Sequence, residues 1–100
     1  MLSRTLPFLR RIGTMAKYST PSGPELARRV GERIRELRLA RGITSQEVLA
    51  DAAQLHRTFI GRVERGETNV TVVTLARLCA ALDVSLEEFF RAFAGDKSDW

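Results

Sequence analysis

Residues 46–65 read QEVLADAAQLHRTFIGRVER, and two apolar sets within them decide the fold. Leu49, Ala50 and Ala53 recur at the three- and four-residue spacing of one helix face. Phe59, Ile60 and Val63 repeat that spacing further on. The pattern predicts a short support helix, a tight corner plugged by Leu55, and a second helix: a helix-turn-helix. Ala50 supplies the small side chain that two helices need where their axes cross closely. The second helix keeps a polar face of Arg57, Thr58, Gly61, Arg62 and Arg65. A positive face on a short, braced helix suits the DNA major groove, which is wide enough to admit one helix. An ordinary amphipathic hairpin with a solvated charged face has the same pattern, so the flanking sequence must arbitrate.

The chain has 100 residues, enough for one small domain and no separate ligand-sensing unit. Its single cysteine, Cys79, cannot form an intramolecular disulfide, which points to a reducing, cytoplasmic setting. No apolar run approaches the roughly 20 residues of a membrane span. His56 and Cys79 fall on different helices and do not supply the four ligands of a structural zinc site. No metal, cofactor, small-molecule ligand or catalytic group is therefore expected. Cys79, among Leu75, Leu78 and Leu82, reads as a small core residue.

Charge is uneven. Residues 1–20 carry a net +4, residues 21–66 a net +3, and residues 67–100 a net −3. Positive charge thus travels with the proposed helix pair, and a polyanion is the expected partner.

Residues 1–23 are rich in Arg, Ser and Thr and close on a Pro/Gly/Ser cluster, which reads as a flexible basic leader and linker. Several readings stay open for it: a leader without fixed role, which is favoured, a basic arm on phosphates, a transit peptide, or a sequence that begins upstream of a natural start at Met15. A domain is expected over 24–94 and a polar tail over 95–100.

Within that domain the first helix is predicted from Pro24 to about Arg41, with Leu26, Val30, Ile34 and Leu37 as its buried stripe and Gly42 as a left-handed cap. Thr44 or Ser45 caps the second helix, which runs to about Ala53. His56 opens the third, which stops at Gly66. Thr71 begins the fourth, with Leu75, Leu78, Cys79 and Leu82 facing inward. Ser85 opens the fifth, which carries Leu86, Phe89, Phe90 and Phe93. No strand pattern occurs, so the class is all-α.

In that order the landmarks RELRLARG, SQE, LHRTFIGRVERGE and TLARLCAALDVSLEEFF make residues 31–90 resemble the Cro/phage-repressor-like, or XRE, helix-turn-helix family. The small size and the HRTFIGRVERGE segment are most similar to restriction-modification controller proteins. The resemblance implies a compact five-helix, lambda-repressor-like DNA-binding domain. It also implies a homodimer that lays the third helix in the major groove of a pseudo-palindromic operator. Arg57, Thr58 and Arg62 correspond to base-reading positions and Gln46 to a phosphate-contacting one. Arg38 and Glu64 correspond to a largely buried ion pair. Two departures stand out: Gln54 where the family usually has glycine, and a connection before the second helix that is one residue longer than usual.

The chemistry of the reading face agrees. Arginine can donate two parallel hydrogen bonds to guanine O6 and N7, and threonine offers a hydroxyl and a methyl. Gly61 would let the helix approach DNA closely, and His56 would start the helix or touch a phosphate. Phe89, Phe90 and Phe93 cannot all fold inward from so short a helix, so at least one is expected to meet a second copy. The expected function is a sequence-specific, double-stranded DNA-binding transcriptional regulator. The alternative is an antitoxin-type interaction module that also binds DNA.

Overall fold

The computed structural model describes residues 21–93; the leader over 1–20 and residues 94–100 lie outside the described residues. Within that span five helices follow one another: α1 Gly23–Ala40, α2 Gln46–Ala53, α3 Arg57–Glu64, α4 Val72–Ala81 and α5 Leu86–Arg91. No strand occurs among the described residues.

Each helix starts on a side chain that accepts an otherwise orphaned N–H. Ser22 Oγ accepts from the Glu25 N–H at 3.2 Å, and the Glu25 carboxylate accepts from the Ser22 N–H at 3.4 Å. That reciprocal box starts α1 ahead of Pro24, inside the stretch expected to be linker. Ser45, rather than Thr44, caps α2. His56 caps α3, Thr71 caps α4 and Ser85 caps α5.

The core gathers one face from every helix. Ile34, Leu49, Ile60, Leu78, Leu82 and Phe89 are wholly inaccessible, with Val30, Leu37, Ala50, Ala53, Val63, Leu75, Cys79 and Phe93 beside them. Leu55 and Phe59 are half-buried against this cluster. Leu26 departs from the expected stripe: it is 37% exposed and takes no part in the core cluster. The phenylalanines divide. Phe89 and Phe93 are buried in the chain's own core, whereas Phe90 is 42% exposed.

Two features fix how α3 sits on this core. Gln54 ends α2 in the left-handed conformation at φ 60°, a state that costs a non-glycine residue roughly 1 kcal/mol. It is held there by the Leu55 N–H donating to the Ala50 carbonyl at 2.8 Å and by Arg77 Nη2 donating to the Gln54 carbonyl at 2.9 Å. From the other side, Gly31 brings α1 onto the last turn of α3. A Cβ there would collide with the Val63 carbonyl oxygen and stand 2.9 Å from that of Glu64.

Candidate nucleic-acid interface

At about 100° per residue, Arg57, Thr58, Gly61, Arg62 and Arg65 fall within roughly 140° of the α3 circumference, opposite Ile60 and Val63. The apolar side is buried and pins the helix, so the polar side projects from a rigid mount. Arg57, Thr58 and Arg62 are exposed. His56 Nδ1 accepts from the Thr58 N–H at 3.1 Å, which makes the histidine the cap that aims the first turn.

Behind the face lies the ion pair. Arg38 Nε donates to Glu64 Oε2 at 2.7 Å and Nη2 to Oε1 at 3.1 Å, with both side chains almost fully buried. Arg38 Nη1 also donates to the Ile43 carbonyl at 2.9 Å. Gln46 completes the set: its Nε2 donates to Glu64 Oε1 at 3.0 Å. The residue expected at a phosphate is thus tied to the internal brace. No buried side-chain polar atom among the described residues lacks a partner.

The face arginines differ in freedom. Arg65 is engaged by Glu67 through Nε at 2.7 Å and Nη2 at 3.2 Å. That hydrogen-bonded pairing raises the Arg65 pKa and holds the Glu67 carboxyl below its ordinary range. Arg57 Nη1 stands 3.9 Å from Glu47 Oε2, an ion pair without a hydrogen bond. Arg62 makes no ion pair among the described residues.

Gly61 is buried beneath the ends of two flexible side chains: a Cβ would meet Arg65 Nη1 at 3.0 Å and Gln46 Oε1 at 3.3 Å. Its missing side chain makes room for those two side-chain ends. Ser45, Gln46, Glu47, Arg57, Thr58, Gly61 and Arg65 together line an open recess of about 390 Å³ between the α2 start and the α3 face.

Sequence reading missed Glu47 and Glu67 as companions of this surface, and Arg77 as the residue that holds the Gln54 corner. Glu67, two residues beyond Arg65, was in reach of a charge-pair search. Arg77 and Glu47 meet their partners only through tertiary contact. Elsewhere, burial pushes the Cys79 thiol pKa up, with Arg33 opposing it. No group of three or more potential metal ligands assembles among the described residues. No helix among them is long and apolar enough to cross a membrane.

A positive, exposed face on the second helix of a braced, capped helix pair defines a helix-turn-helix DNA-binding regulator of transcription. The chain belongs to the helix-turn-helix family, whose model matches residues 34–89. It is similar to the control protein C.BamHI of Bacillus amyloliquefaciens, 41% identical over 54 residues, covering 54% of this chain and 67% of that protein. With the control protein C.SmaI of Serratia marcescens it shares 57% identity over 42 residues, which are 42% of this chain and half of that one. The restriction-modification controller protein C.AhdI from Aeromonas hydrophila superposes with a TM-score of 0.61 at 45% identity, over 64% of this chain and 91% of its own.

Proposed function

We propose that the chain binds a pseudo-palindromic operator as a homodimer and controls a restriction-modification operon, with α3 of each copy in a major groove. The observation that carries this reading is the exposed Arg57–Thr58–Arg62 face, backed on the opposite side by buried Ile60 and Val63. Arg57 and Arg62 read base edges, and Thr58 contacts a base or phosphate. His56 and Arg65 lie at the two ends of the face and approach the backbone. Gln46 gives Glu64 one amide N–H and keeps the other for a phosphate. Gly61 keeps the recess between them open.

The dimer reading is supported by an apolar groove of about 610 Å³ lined by Leu26, Val72 and Phe90 among others. These three side chains are 37%, 73% and 42% exposed, and a contiguous exposed apolar patch commonly marks a contact surface. A cytoplasmic protein that acts by binding alone, without a cofactor or catalysis, fits the family and the similarity to controller proteins.

Selection from a random duplex library tests the proposal. Enrichment of an inverted repeat, bound by two chains per duplex in sedimentation, is the expected result. Retention of all sequences alike, with no enrichment, would overturn it.

A further inference from the structure

Phosphates repel a carboxylate, yet Glu47 lines the same recess as Gln46, Arg57 and Thr58. Its Oε2 lies 3.9 Å from Arg57 Nη1, and the two side chains are 64% and 69% exposed. This pairing is unlike that of Arg65, whose fork is occupied by Glu67 at hydrogen-bond distance. Glu47 thus sets a negative charge beside Arg57 without consuming its donors. It also stands in the first turn of α2, where an acid favours the helix dipole. Dipole complementarity alone would make its effect independent of Arg57.

We propose that Glu47 is a specificity-determining residue, acting through Arg57; this rests on the DNA-reading role of α3 proposed above. Away from the operator, the available partner for a free guanidinium is a phosphate. Glu47 competes with that phosphate for Arg57 and repels it. At a guanine the contest changes. A guanidinium carries five N–H donors, so it can give two to O6 and N7 while its charge stays beside Glu47. Glu47 therefore weakens binding to random DNA more than binding to the operator. Discrimination by penalising the wrong partner is a general route to specificity.

The test is a double-mutant cycle of Glu47→Gln and Arg57→Ala. It is read against the duplex that the wild-type chain enriches from a random library and against a scrambled duplex, at two salt concentrations. Releasing Arg57 for one more phosphate contact is worth roughly tenfold near 0.1 M salt, with a salt slope steeper by about one. Glu47→Gln should thus bind scrambled DNA roughly tenfold more tightly, leave operator affinity nearly unchanged, and lose the gain when Arg57 is alanine. Equal gains on both duplexes, or a gain that persists without Arg57, would reduce Glu47 to background charge and overturn the inference. Failure of the wild-type chain to enrich any sequence would overturn the DNA-reading role and this inference with it.

Discussion

Arg38 and Glu64 form a two-pronged pair, 2.7 Å and 3.1 Å long, between the last turns of α1 and α3, with side chains only 6% and 3% exposed. Removing one partner strands the other charge out of water, at a cost of roughly 3–5 kcal/mol. Arg38→Ala should accordingly lower the urea midpoint sharply. The paired change Arg38→Met with Glu64→Leu should lose less, because no charge is left behind. An Arg38→Ala chain as stable as wild type would remove the pair from the account.

Gly31 offers a test in which helix propensity and packing oppose each other. Alanine is better than glycine inside a helix by about 1 kcal/mol. At this site, however, its Cβ would run into the Val63 and Glu64 carbonyls, which are backbone and cannot swing aside. Overpacking costs about 1–3 kcal/mol, occasionally more. Gly31→Ala should be destabilising in thermal denaturation, and a stabilised variant would show that α1 and α3 are further apart than described.

Gly31 also shows where the sequence stops being legible. Its place within a helical pattern was plain, but the reason for it was not, since the neighbour it admits comes from thirty-odd residues away. The helix order and the His56, Thr71 and Ser85 starts could be read locally, because periodicity and capping are short-range physics, whereas Thr44 and Ser45 offered equivalent caps for α2 and only the fold selects Ser45. Ser22 is harder to see as a cap, because Pro-Ser-Gly looks like linker until its carboxylate partner three residues on is counted. Leu26 kept the helical period yet lies beyond the edge of the core. On the candidate site, the polar face of α3 was legible from spacing. The grading of its arginines was not, because Glu47 reaches Arg57 only after α2 and α3 have packed.

Phe90 gives the dimer proposal a single-residue test. It shares an apolar groove with Leu26 and Val72, while Phe89 and Phe93 are buried within the chain. Phe90→Asp should leave the fold intact and shift sedimentation from dimer to monomer at tens of micromolar. Unchanged association would move the interface away from the α5 end of the groove.

Cys79 should behave as an inert thiol. Its side chain is buried, and burial raises its pKa, so little thiolate forms at neutral pH. A disulfide reagent at pH 7 should label it slowly in the native chain and rapidly in urea. Fast native labelling would mean that α4 opens far more readily than its packing implies.

The most direct test of the central claim, that α3 reads sequence, is a titration of wild type, Arg57→Ala, Arg62→Ala and Arg65→Ala against the selected operator and a scrambled duplex at two salt concentrations. Arg57→Ala and Arg62→Ala should each lose about 1–3 kcal/mol on the operator and much less on scrambled DNA. Arg65→Ala, already engaged by Glu67, should cost less than either. Equal losses on both duplexes for Arg57→Ala and Arg62→Ala would make them phosphate contacts and contradict the claim.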